Sequence, residues 1–318
     1  MDKKKNKIII VAVIFATLFS LTIGGCTSNI YYINFSVSNY TYTDADKYDK
    51  GNAEIDAQTV DNIDLSWLFG TATVNYGETE KITLTETANE ELADDFIMRT
   101  RVVDGTLYVK YMNSVGIRTI VPKKTLTITL PIDFKAENFK IAVSSADVSS
   151  DMNAKTIDFS SSSGDIYYTG AVENVFKAKT SSGDVTAKTN DKSSYDLHTS
   201  SGDIHIAGKA NTVTANSSSG NIRLEVADCE KAAVHTSSGT VTIKAPVNLS
   251  DCEINSSSGN VILLLPENFG ATITFSASSG DFSSEIAATA SGKKHVLGDG
   301  ANIINVTTSS GDLRIKKI

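Results

Sequence analysis

Ser162-Ser163-Gly164-Asp165-Ile166 is written again as Ser181-Ser182-Gly183-Asp184-Val185 and as Ser200-Ser201-Gly202-Asp203-Ile204. Variants follow at Ser218-Ser219-Gly220-Asn221-Ile222, Ser237-Ser238-Gly239-Thr240-Val241 and Ser257-Ser258-Gly259-Asn260-Val261. Ser278-Ser279-Gly280-Asp281-Phe282 and Ser309-Ser310-Gly311-Asp312-Leu313 close the series, and Ser144-Ser145-Ala146-Asp147-Val148 is a degenerate first copy. From Gly164 onward the glycines stand 19, 19, 18, 19, 20, 21 and 31 residues apart. A period of this size marks a repeat architecture, in which each unit buries its apolar face against its neighbours.

The phase of the apolar residues defines the unit. Two positions after each glycine come Ile166, Val185, Ile204, Ile222, Val241, Val261, Phe282 and Leu313, and four after it mostly Ile, Leu, Ala or Tyr. Five and seven positions before it the pattern repeats, as in Ile157 with Phe159 and Tyr195 with Leu197. Alternation with period two on both sides of a turn means two short strands per coil, each with one face inward. Glycine at the turn is expected to take positive φ, with the serines bonding the local backbone. Stacked coils predict an all-β fold, a parallel β-solenoid with ~19-residue coils turning at Ser-Ser-Gly-Asp. At about 4.8 Å per coil the rod would be roughly 40 Å long. A Greek-key sandwich is the competing fold, but it gives no reason for the period.

Composition agrees. The chain has 318 residues, abundant small polar residues, 4 Pro and 1 Trp, which suits many short strands and turns. The net charge is -8, and more acidic still without the four lysines of the N-terminal segment. No basic stripe is available to neutralise phosphates, so nucleic acid is excluded as a partner.

Four regions follow in order. Residues 1–26 are a targeting segment: Lys3, Lys4, Lys5 and Lys7 precede an apolar run from Ile8 to Ile23. Ile23-Gly24-Gly25-Cys26 resembles a bacterial lipobox, which would make Cys26 the lipidated N-terminus of a lipoprotein. The alternative is a single uncleaved transmembrane helix, for which the run is short of the roughly 20 residues required. Either way the remainder lies outside the cytoplasmic membrane. Residues 27–50 read as a polar, Tyr-rich tether, and 51–137 as irregular β coils capping the open end of the solenoid. Asn89 to Met98 has a weak helical pattern within them. Residues 138–318 are the regular coils, with an insertion between Gly280 and Gly311, and the charged strand Leu313–Ile318 is expected to end the rod.

Several stretches together resemble one known group: Tyr48 to Gly51, Ile63-Asp64-Leu65-Ser66-Trp67 with Gly70, Asp104 to Val109, Leu126 to Pro131, the Ser-Ser-Gly-Asp coils and Gly298-Asp299-Gly300. It is the putative-adhesin, β-strand-repeat family of bacterial envelope proteins, a domain of unknown function that includes LiaG-like proteins. The resemblance covers nearly all of the chain after residue 45. It implies a membrane-attached, extracytoplasmic β-solenoid with no established catalytic activity and no defined functional residues.

Among chemistry-bearing residues, Asp147, Asp165, Asp184 and Asp203 fall on successive coils as a carboxylate column. Like charges at such spacing call for compensation, and a hard cation such as Ca²⁺ is one candidate. The plainer account has each Asp bonding its own turn amides, and the change to Asn221, Thr240 and Asn260 favours it. His198 and His235 share a phase but stand two coils apart, His205 is on the other strand, and His295 is in the insertion, so no Zn²⁺ set forms. Cys252 has an inward phase, and Cys229 is three positions out of register with it, which disfavours a disulfide. Asp184, Asp203 and Lys179 could be imagined at the cleft of a glycan-cleaving β-helix enzyme, but no motif marks a carboxylate pair. The function expected is a non-catalytic adhesin or envelope scaffold and sensor, contacting cell-wall polymers, glycans or envelope proteins.

Overall fold

The computed structural model describes residues 40–116, 121–245 and 249–318. The targeting segment with Cys26 and the tether up to residue 39 lie outside them. Among the described residues helical geometry is confined to the 3-10 turns Ala45–Lys47, Ala57–Thr59 and Asp94–Phe96. The weak helical pattern at Asn89 to Met98 thus amounts to one 3-10 turn. Everything else regular is strand, and the 24 strands join in one sheet.

The body is built from β8 to β18, and before it come β1 (Asp49–Lys50), β2 (Ala53–Asp56), β3 (Asn62–Gly77), β4 (Lys81–Ala88), β5 (Arg99–Val103), β6 (Thr106–Lys110) and β7 (Lys124–Pro131). The body strands are β8 (Ala136–Ser150), β9 (Ala154–Ser161), β10 (Ile166–Tyr168), β11 (Val172–Thr180), β12 (Val185–Thr199) and β13 (Ile204–Ser217). They continue through β14 (Ile222–Ala227), β15 (Cys229–Thr236), β16 (Val241–Lys244), β17 (Leu249–Ser256) and β18 (Val261–Leu265). All pair in parallel, in two ladders that share the long strands β8, β12 and β13. In one ladder Ile166, Val185, Ile204, Ile222, Val241 and Val261 are register neighbours. In the other Phe159, Ala178, Leu197, Ala215, Val234 and Ile254 are.

The inward phases are all buried except in the coil of Gly280, where Phe282 and Ser284 are half-buried. Parallel sheets need their apolar faces covered, and here the two ladders cover each other. The first coils fill the space with aromatics. Phe159 meets Phe139 edge-on at 5.3 Å, and Tyr168 stacks on Phe176 at 4.8 Å. Later coils use smaller residues, Ala215 and Ala232 among them.

Residues 40–50, placed by the sequence in the tether, partly pack and pair with the strands that precede the body. Tyr40 is buried, bridges Val115, and takes the Tyr111 N–H on its hydroxyl at 2.9 Å. The first strands mix directions. β4 lies antiparallel to β7 and β2, and β5 antiparallel to β6 and β1.

Stacking order departs from sequence order at both ends. β3 pairs in parallel with β8 on one side and with β6 and β7 on the other, so the later β6–β7 coil lies outside the earlier β3 coil. At the far end are β19 (Ala271–Ala277), β20 (Phe282–Ser284), β21 (Ala288–Ser291), β22 (Lys294–Leu297), β23 (Asn302–Thr308) and β24 (Leu313–Lys317). β23 and β24 lie between β17–β18 and β19–β20, in parallel with all four. The last strand therefore does not end the rod, as its charge suggested. That place belongs to β19 and β20, with the β21–β22 hairpin laid antiparallel along β19. The insertion after Gly280 is this hairpin.

Candidate functional site

The repeat turn is organised by three columns of residues. The glycines form the first, and their role differs from the one expected. None of Gly164, Gly183, Gly202, Gly220, Gly239, Gly259, Gly280 or Gly311 has positive φ. What each requires is the absence of a side chain. A Cβ on Gly183 would lie 2.1 Å from the Gly164 carbonyl oxygen, and one on Gly202 would lie 2.0 Å from that of Gly183. Backbone packed on backbone leaves no room for a methyl group.

The second column was not singled out by sequence reasoning. Three residues before each of these glycines except Gly280 stands a buried hydroxyl: Ser161, Thr180, Thr199, Ser217, Thr236, Ser256 and Thr308. Each accepts the N–H of its own glycine, at distances such as 2.8 Å for Ser161 with Gly164 and 2.9 Å for Thr199 with Gly202. Some also donate to a glycine carbonyl one coil away, as Ser217 Oγ does to Gly202 O at 3.2 Å. Buried amides need partners, and this hydroxyl serves a donor that the strand ladders leave out. Its signal was present in the sequence as a Ser or Thr at that position in every glycine-bearing coil but the Gly280 one, which has Ala277.

The third column holds Asp147, Asp165, Asp184 and Asp203. They are brought together on adjacent coils, but they do not bond their own turns. Asp147 Oδ1 accepts the Asp165 N–H at 3.0 Å, Asp165 Oδ1 that of Asp184 at 2.8 Å, and Asp184 Oδ1 that of Asp203 at 2.7 Å. The chain of bonds continues through Asn221 to Thr240, and from Asn260 to Asp312 and Asp281. Each carboxylate thus faces an amide of the next coil, and that N–H dipole offsets part of the like-charge repulsion. Asp312 is held below the usual carboxylate value, first by the Asp281 N–H and then by Arg314. Asn and Asp can alternate in this column because the bond requires only an acceptor. Among the described residues no group of three or more His, Cys, Asp or Glu converges as a metal centre would.

The remaining candidates stay apart. His198 Nε2 lies 2.8 Å from Asp196 Oδ1, His205 Nε2 3.4 Å from Glu225, and His295 stacks on Phe282 with centroids 3.6 Å apart. Lys179 sits on β11 before the turn, in register with Ser160 and His198, while Asp184 and Asp203 follow it. Cys229 and Cys252 are free and buried, and burial pushes the Cys229 thiol up to about 11 and Cys252 higher still, so both are poor nucleophiles. Two surface hollows are shallow. One of about 250 Å³ is lined by Tyr40, Leu68, Val143 and serines, and one of about 390 Å³ by Lys135, Glu173, Lys192 and backbone neighbours.

One buried ionic node lies among the strands before β8. Lys124 Nζ reaches Glu86 Oε1 at 2.5 Å and the carbonyls of Phe96 (2.6 Å) and Tyr111, with the Tyr111 ring 3.8 Å away. Burial lowers its pKa to about 8, against the opposing pull of Glu86. All three ammonium donors are used within the protein. Lys124 occupies the place of a repeat glycine, in register with Gly70, which is in turn in register with Ala146.

No curated protein matches the chain. Among solved structures, one described as a "putative lipid binding protein" from Parabacteroides distasonis shares 16% identity at a TM-score of 0.51, over 85% of this chain and 97% of that one. A "putative adhesin" from Bacteroides fragilis shares 17% identity at 0.39, over 85% of this chain and 97% of that one. A "putative cell adhesion protein" from Clostridium sporogenes shares 9% at 0.23, over 86% of this chain and 100% of that one. At such identities the likeness to the Parabacteroides protein concerns the fold alone. The profile of the family described as Toastrack DUF4097 matches residues 60–252 and 248–316. The chain belongs to the Toastrack DUF4097 family.

Proposed function

We propose that the protein is a membrane-attached adhesin or scaffold of the bacterial envelope that acts by binding and not by catalysis. Its rod is read as a β-solenoid of roughly nineteen-residue coils turning at Ser-Ser-Gly-Asp, held outside the cytoplasmic membrane through Cys26. One observation carries the reading: the carboxylates of the exposed turn column are committed one by one to the amide of the next coil. Groups spread singly along a rod offer many repeated weak contacts to an extended partner. Catalysis instead calls for convergent groups in a water-excluding cleft.

The test is a binding screen of the full chain in detergent against purified cell-wall polymers and glycans, with Ca²⁺ and with chelator, each ligand being checked for cleavage. Saturable binding without cleavage is expected. Cleaved product would overturn the reading, and loss of binding in chelator would assign a cation to the aspartate column. Uptake of labelled fatty acid, abolished by Cys26→Ala, is the expected result for the anchor; uptake persisting in that variant refutes lipidation at Cys26.

A further inference from the structure

The C-terminal coil fills a slot between two coils that are each other's neighbours in sequence. β18 and β19 are separated by residues 266–270 only, yet in space the β23–β24 coil lies between them. The glycine column records the same order, since a Cβ on Gly311 would strike the Gly259 carbonyl at 2.0 Å and one on Gly280 that of Gly311 at 2.0 Å. So does the turn ladder, where Asp312 N–H donates to Asn260 Oδ1 at 2.9 Å and Asp281 N–H to Asp312 Oδ1 at 3.1 Å.

The slot is bounded by chain already synthesised when β23 and β24 emerge. Both of its walls are parallel strand edges; the β17–β18 wall carries the apolar phase and buried hydroxyl of the regular coils, and the β19–β20 wall keeps the parallel pairing while Ala277 and Ser284 depart from them. A wall of this kind accepts any coil of the repeat pattern, including the same coil from another molecule. The segment that would move is short, residues 302–318, and it pairs only with the two walls of the slot. β23 and β24 are joined to the hairpin through Gly298-Asp299-Gly300, where both glycines have positive φ, +51° and +72°. Glycines in this region tolerate large backbone changes at low steric cost, which suits a hinge. Exchange of an identical element preserves every native contact while the hinge alone changes, and it is a low-cost route to dimers.

We propose that residues 302–318 are an exchangeable strand pair, and that the slot between β17–β18 and β19–β20 takes the C-terminal coil of a second copy of this chain. The rods would be joined reciprocally near their β19–β22 ends. This association is independent of what the rod binds along its sides.

The experiment uses neighbouring outward positions of β17 and β23. Asn255 and Thr307 are register partners on adjacent parallel strands, within disulfide reach of one another. Full-length Asn255→Cys and Thr307→Cys chains, one isotopically heavy, are mixed, carried through a cycle of unfolding and refolding at high concentration, and oxidised. A peptide linking residue 255 of one chain to residue 307 of the other is expected, in an amount that rises with protein concentration. The double variant closes the same link within a single chain at low concentration, which establishes that the pair can form. Failure to find the mixed peptide, with the double variant closing normally, overturns the proposal. If the double variant fails to fold, the same exchange is read from tagged wild-type copies, whose co-purification after refolding is expected and whose complete separation overturns the proposal.

Discussion

A single missing methyl group decides whether two coils can touch. Gly202→Ala places a Cβ against the Gly183 carbonyl, while a Cβ on Gly116 would meet no atom within 4 Å. Gly202→Ala is therefore expected to cost about 1–3 kcal/mol or more through overpacking, and Gly116→Ala to be neutral, as compared by denaturant titration. The aspartate beside it behaves differently. Asp184 supplies an acceptor for the Asp203 amide, and Asn221 does the same for Thr240. Asp184→Asn should change stability by less than about 1 kcal/mol, and loss beyond that would mean the negative charge itself is needed. At this scale the sequence displayed which residues recur but not why. The glycine was legible as a turn residue, yet its contact with the preceding coil's carbonyl exists only after stacking. The buried hydroxyl three positions earlier was visible as a repeated Ser or Thr, hidden among other serines and threonines.

Among the elements before β8, the β6–β7 coil carries a residue that breaks the glycine column. Lys124 lies in the β6–β7 coil beyond β3, so the side chain turns into the space under β4 and meets Glu86, whose side chain is 4% exposed. Lys124→Met alone strands that carboxylate and should cost about 3–5 kcal/mol, whereas adding Glu86→Gln should recover part of the loss. Equal stability of the single and double variants would show that the pair is not coupled. The titration gives a second check. The folded value of about 8 lies below the ordinary lysine value of 10.5, so in that interval the unfolded chain holds the extra proton. Stability from this group therefore rises with pH through the interval, and NMR of the Lys124 side chain should show the transition near its lower end. The parallel coils and their inward phases were readable, because period and alternation are local properties of the chain. Antiparallel partners among the first strands were not, since Thr83 to Thr87 alternates in the same way whichever strand lies beside it.

The whole molecule adds a property that no repeat contains, namely the order in which the coils are stacked. Period alone predicts coils laid down one after another, and from β8 to β18 they are. At each end the chain first travels outward or inward by an extra coil and then returns, and nothing in the spacing from Gly280 to Gly311 distinguishes a bulging loop from a reversal. Both arrangements satisfy the same apolar phase. Long-range pairing of this kind tends to slow folding, because β19 has to leave room for strands made after it.

One consequence concerns direction. Ile318 follows β24, a strand with neighbours on both sides, and its N–H is bonded to Leu265. Any chain continuing beyond Ile318 would leave from the flank of the rod, one coil below the tip. The tip itself belongs to the hairpin of Ala288–Ser291 and Lys294–Leu297, an internal segment whose neighbours in sequence are both committed elsewhere. A cargo meant to extend the reach of the rod would have to be grafted into that hairpin, and not attached after Ile318.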